Sequence, residues 1–134
     1  MTKIVDVEGI GEVYTAKLQK AGIDTVEDLL EKCGTPQGRK ALAESTEISE
    51  KLILEWANRA DLSRVNGVST QYADLLEATG VDTVPELAQR NPQNLYKSMV
   101  ETNESKSLVR RMPSEDQVAD WVKQAKDLPR ALTY

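Results

Sequence analysis

The chain has 134 residues, 17 Lys and Arg against 22 Asp and Glu, a formal charge of −5 and a 40% hydrophobic content. It contains no histidine and one cysteine, Cys33, which excludes Ser/His/Asp and Cys/His triads, imidazole acid–base catalysis, mixed Cys/His zinc sites and internal disulfides. The length suits one compact domain, or two very small units sharing a core.

A short helix is expected to lead into the turn Gly9-Ile10-Gly11, after which Tyr14, Leu18 and Ala21 recur at i, i+4 and i+7 of a longer helix. Gly22 ends that helix as a C-terminal cap. Thr25 with Asp28 is a weak capping box for the next helix, which ends near Cys33. Thr35-Pro36 opens a fourth helix with an N-cap and a proline in the first turn, and a fifth begins near Ser49 and carries Trp56.

The same series then runs again. Gly67-Val68-Ser69 is the second turn, and Tyr72, Leu75, Leu76 and Thr79 share the face of the helix that Gly80 caps. Thr83 with Glu86 is a stronger capping box, with Pro85 in its first turn. Asn91-Pro92 opens the following helix, and Ser114 with Gln117 opens the last, which carries Trp121.

A shift of 58 places lays Val65 to Leu87 over Val7 to Leu29 with nine identities in 23 positions, among them Gly9/Gly67, Tyr14/Tyr72, Gly22/Gly80 and Leu29/Leu87. The Trp56 and Trp121 segments match at an offset of 65, so the second copy holds extra residues, placed around Ser105 to Pro113. Strand signals are absent. The chain reads as all-α: a single domain over 1–134, about ten short helices in two pseudo-symmetric halves, 1–61 and 62–134.

Bland roles are expected for most conspicuous side chains. Trp56 and Trp121 read as core anchors, while Tyr14 and Tyr72 pack the turns and offer their hydroxyls to nearby carbonyls. Glu8 with Glu12 and Asp24 with Asp28 read as caps and solvated surface. Cys33 lacks the setting of an activated thiolate. No enzyme activity, cofactor or metal is expected. No apolar run reaches the roughly 18 residues of a membrane span, and Met1 to Asp6 lacks a signal-peptide core, so a reducing cytoplasm fits.

Ile4-x-x-Val7-x-Gly9-Ile10-Gly11-x-x-x-Thr15-x-x-Leu18 resembles the helix-hairpin-helix motif. Leu62-x-x-Val65-x-Gly67-Val68-Ser69-x-x-x-Ala73-x-x-Leu76 resembles it again, with Ser69 for the second glycine. The extension Ala21 to Leu30 is similar to the segment after this hairpin in recombinase N-terminal domains. Over nearly its whole length the chain resembles a small bacterial family known as a domain of unknown function, with an expected SAM-like fold. That family carries no activity with it; the likeness to the helix-hairpin-helix motif implies a non-catalytic binding module that meets DNA or RNA backbone phosphate through the turns, at Gly9, Ile10, Gly11, Gly67, Val68 and Ser69.

Charge qualifies that expectation. Residues 1–61 hold 8 basic and 12 acidic side chains, and 62–134 hold 9 and 10. Asp6, Glu8 and Glu12 crowd the first turn, so the second is the better phosphate site, with Arg64 beside it and Lys97, Lys106, Arg110 and Arg111 as the candidate basic patch. Glu101 and Glu104 interleave that patch, which leaves it open to reading as a solvated face. The alternative is a protein–protein adaptor in which both turns are structural and an acidic surface receives a basic partner.

Overall fold

The structure, a computed structural model, describes residues 3–7 and 10–133, with the backbone alone for Asp6 and Thr70. Among these residues it is all-helical. A 3₁₀ turn, Ile4–Asp6, precedes α1 (Glu12–Lys20), α2 (Val26–Cys33), α3 (Pro36–Thr46), α4 (Glu50–Leu62), α5 (Thr70–Ala78), α6 (Val84–Ala88), α7 (Pro92–Lys106) and α8 (Glu115–Asp127). No strand forms among them; Lys3 and Thr25 make one isolated antiparallel bridge.

Eight α-helices stand where about ten helices are expected, because the leading helix of each half is not a separate α-helix. In the first half it is the 3₁₀ turn. In the second, α4 continues to Leu62, past Trp56, and the chain passes straight into the turns that end at Gly67.

The helix ends follow their local chemistry. Thr25 Oγ1 accepts from the Asp28 N–H, and the Asp28 carboxylate accepts from the N–H groups of Asp24 and Thr25, a complete capping box for α2. These bonds, the one from Asp24 foremost, with Lys32 nearby, hold the Asp28 carboxyl below its ordinary range. The Ser114–Gln117 box forms in both directions at α8. Thr35 and Asn91 each cap the helix that a proline follows. At α6 the expected Thr83–Glu86 box is not made: the Thr83 side chain does not cap, and the Glu86 carboxylate accepts instead from the Asp82 N–H at 3.3 Å. Burial, with the Glu86 charge adding to it, pushes the Asp82 carboxyl up.

Both α1 and α5 end in the bond pattern that a left-handed residue creates. Ile23 N–H reaches Leu18 O at 2.9 Å and Val81 N–H reaches Leu76 O at 2.9 Å, with Gly22 at φ +87 and Gly80 at φ +102.

The chain divides into two compact units, one of residues 1–61 with 131–134, the other Leu62–Arg130. Unit 1 buries Ile4, Leu18, Ile23, Leu29, Ile53 and Trp56 in its core. In α4 the buried residues Ile53, Trp56, Ala57 and Ala60 fall at i, i+3, i+4 and i+7, the stripe of an amphipathic helix. Leu132 belongs to this core rather than to that of the half in which the sequence places it. Two bonds from Thr133 to Gly34 O and one from Arg39 to Thr133 O hold it there. Unit 2 buries Leu62, Leu75, Leu76, Leu87, Leu95, Met99 and Trp121. Each such side chain contributes about 1.5–3 kcal/mol of transfer free energy.

The extra residues of the second half are divided between helix and loop. α7 has 15 residues where α3 has 11, and Ser107 at φ 52 then turns the chain out of α7. The loop that follows is anchored. The Asn103 amide donates to Val109 O at 3.1 Å and accepts from Val109 N–H at 2.9 Å, while Val109 and Pro113 are buried.

Candidate functional site

The second turn, in unit 2, is held by both faces. Gly67 adopts φ +93, a conformation that disfavours any side chain, and a Cβ there would lie 3.0 Å from Trp121 Nε1. One residue earlier, the Asn66 N–H donates to Gln124 Oε1 at 2.8 Å and Asn66 O accepts from Gln124 Nε2 at 3.2 Å. Gln124 thus pairs with the backbone as another peptide group would. Asp120 accepts from the same Nε2 at 2.7 Å and fixes the amide's orientation.

Val68 is buried and its N–H returns to Val65 O, so of the expected contacts it is a core residue. Ser69 is the N-cap of α5, its hydroxyl accepting from the Tyr72 N–H at 3.2 Å. That leaves the N–H groups of Gly67, Ser69, Thr70 and Gln71 without a partner among the described residues. They lie at or beside the positive end of α5.

Arg64 and the basic loop stand differently around this turn. Arg64 Nη1 donates to Pro129 O at 2.9 Å, so a structural bond already engages that guanidinium. Arg110 and Arg111 are exposed. The Tyr72 hydroxyl donates to Arg111 O at 3.0 Å, which ties their loop to the first turn of α5. Lys97 and Lys106 are exposed on α7, and Lys106 borders a shallow cavity with Asp74 and Glu77.

At the first turn, in unit 1, Gly9 and Glu8 lie outside the described residues, as does the Asp6 side chain. Ile10 is buried, with its N–H on Val7 O. Gly11 is the N-cap of α1 and supplies no side-chain cap, so the N–H groups of Glu12, Val13 and Tyr14 have no partner among the described residues. Glu12 is exposed in that first turn, where its carboxylate offsets the helix dipole. Val13 stands 69% exposed at the place where a phosphate-binding turn would profit from a cation. Two residues on, Thr15 is 6% exposed, and its hydroxyl has no hydrogen-bond partner among the described residues.

Two tyrosines pack against the two tryptophans. Tyr14 meets Trp56 edge-on at 5.2 Å, and Tyr72 meets Trp121 at 5.4 Å. Each indole is 1% exposed. Burial pushes the Cys33 thiol up to about 11. Among the described residues no group of three His, Cys, Asp or Glu side chains could hold a metal ion, and no helix is long and apolar enough to cross a membrane.

Sequence reasoning missed the Asn66–Gln124 pair; it expected the Tyr72 hydroxyl on a backbone carbonyl, without marking that carbonyl as the one of Arg111. Gln124 lies 58 residues from its partner, and nothing local to a solvent-facing glutamine on a helix marks it as a clamp.

No curated protein and no solved structure matches the chain. A family profile covers residues 8–128, from before the first turn to the end of α8, and its description is a domain of unknown function, DUF4332. On that match the chain belongs to the DUF4332 family.

Proposed function

We propose that this protein is a non-catalytic binding module built from two tandem helix-hairpin-helix units in a SAM-like arrangement, and that it binds the phosphate backbone of a nucleic acid through the second hairpin. The supporting observation is the Tyr72–Arg111 hydrogen bond, which fastens the exposed Arg110–Arg111 pair to the helix that follows the N–H groups of Gly67 and Ser69 and begins with those of Thr70 and Gln71, all four without a partner among the described residues. Backbone donors and a helix dipole orient a phosphate, and arginine supplies the charge neutralisation from which affinity comes.

Such contacts go to phosphate and not to base edges, so binding is independent of sequence. The likeness of the hairpin extension to recombinase N-terminal domains agrees with a DNA-handling role, and a single cysteine left free agrees with a reducing cytoplasm. Titration of a labelled duplex at low and moderate salt tests this reading. It requires saturable binding that weakens as salt rises and is lost in Gly67→Asp.

The exposed Val5 and Val13, the latter next to Glu12 in the sequence, favour a second reading for unit 1, an adaptor surface for a basic, partly apolar protein partner. Affinity capture from native lysate with and without nuclease separates the two. Partners retained after nuclease belong to the adaptor, and partners lost belong to nucleic acid.

A further inference from the structure

Between α4 and α5 the chain makes two successive turns, with Val65 N–H on Leu62 O and Val68 N–H on Val65 O, both at 3.1 Å. Val65 and Val68 are buried, while Asn66, Gly67 and Ser69 are exposed. The Asn66 N–H is also engaged, by Gln124 Oε1 at 2.8 Å. Among the described residues, Gly67 therefore holds the one N–H of residues 65–68 that no acceptor takes.

Where that N–H points is decided by α8. The Asn66 carbonyl and the Gly67 N–H belong to one planar, trans peptide group, so the two bonds point in opposite directions. Gln124 Nε2 holds the carbonyl toward α8 at 3.2 Å, and the Gly67 N–H is thereby turned away from α8. The amide cannot serve in the reverse sense. The Asp120 carboxylate, one helical turn earlier, offers acceptors alone and takes the second Nε2 hydrogen at 2.7 Å. Both Nε2 hydrogens and Oε1 are then used. Trp121, three residues before Gln124, lies against the same turn, with its Nε1 3.0 Å from where a Gly67 Cβ would stand.

We propose that Gln124 is the positioning residue of the second hairpin, an inference that rests on the phosphate-binding reading of that turn. By holding Asn66 O it aims the Gly67 N–H at the phosphate, and Asp120 keeps the amide in the sense that does so. Asn66 and Asp120 are exposed, and water would serve the same groups in the absence of Gln124. The clamp therefore contributes orientation more than stability. Without it the peptide group between residues 66 and 67 is free to turn, and its ordering falls on the binding step.

Gln124→Met keeps the length and neutrality of the side chain and removes its hydrogen bonds. The test compares this variant with the unaltered full chain in titrations of a labelled duplex across a range of salt. The variant is expected to bind about tenfold more weakly, the effect of one hydrogen bond to a charged group. Its slope of log affinity against log salt is expected to stay unchanged, because no cation is removed. Binding as tight as that of the unaltered chain overturns the proposal and leaves phosphate binding standing. A lowered slope overturns it too, since the substitution then acts through the arginines. An unaltered chain that binds no duplex overturns the reading of the hairpin itself, and the proposal with it. Native-state hydrogen exchange gives a readout without nucleic acid. The Asn66 amide is expected to be protected in the unaltered chain and to exchange as fast as that of Gly67 in Gln124→Met. An Asn66 amide that exchanges freely in the unaltered chain overturns the proposal.

Discussion

The Tyr72 hydroxyl donates to the carbonyl of Arg111 at 3.0 Å. Through that bond the third residue of α5 fixes the loop after α7 at Arg111, 39 residues further along the chain. Tyr72→Phe keeps the ring against Trp121 and removes only the bond, so it should cost about 1 kcal/mol in urea unfolding. It should also raise backbone exchange in the loop from Ser107 to Pro113. An unchanged exchange pattern would mean that Asn103 and the buried Val109 hold the loop by themselves.

Thr15 is a buried hydroxyl with no partner among the described residues, at the position where the second half has Ala73, itself fully buried. An unsatisfied buried donor costs about 1–3 kcal/mol, against a small loss of packing when one methyl and the hydroxyl leave. Thr15→Ala should therefore be neutral or stabilising by up to about 1 kcal/mol, measured as a raised urea midpoint with an unchanged slope.

Asp28 sets a pH dependence whose sign follows from its direction of shift. Its carboxyl is held below the ordinary value of 3.8, by the Asp24 N–H bond first, so the folded state favours the charged form. The stability this contributes is present above that ordinary value and is lost as pH falls through the lower, folded one. Asp28→Asn should destabilise the chain at neutral pH, and the difference from the unaltered chain should close in acid. Equal destabilisation at both ends of the range would show that the side chain's shape matters and its charge does not.

Cys33 should be inert in the folded chain. With its pKa pushed up to about 11 by burial, hardly any thiolate exists at neutral or mildly alkaline pH, and the sulfur is out of reach. Labelling by a thiol reagent should track the rate of opening and become fast in denaturant. Rapid labelling of the native protein would show that the end of α2 opens readily.

What the sequence made legible is mostly local. Asn91, Thr35 and the Ser114–Gln117 pair cap helices as their spacing implies, because a capping bond spans three residues and needs nothing from the rest of the chain. Trp56 and Trp121 were readable as core, with Tyr14 and Tyr72 packed against them, because large rings at helical spacing have few other places to go. Thr83 and Glu86 carry the same signature as Thr25 and Asp28, yet Glu86 reaches past the cap to Asp82. Val68, expected at a phosphate, is spent on the core. The docking of Leu132 and Thr133 on unit 1 was invisible, since Thr133 meets Gly34 across 99 residues and no periodicity marks such a pair. Arg64 had the right charge and position for a phosphate contact, but its bond to Pro129 O is a matter of tertiary structure that sequence spacing does not encode.

The central claim, a phosphate-binding second hairpin flanked by the Arg110–Arg111 pair, meets its most direct test in the salt dependence of duplex binding. Each phosphate contact contributes about 0.9 to the slope of log affinity against log salt. The double variant Arg110→Ala with Arg111→Ala should lower that slope by about 2 and weaken binding equally on unrelated sequences. A duplex that fails to bind at low salt, or a slope that the double variant leaves unchanged, contradicts the claim.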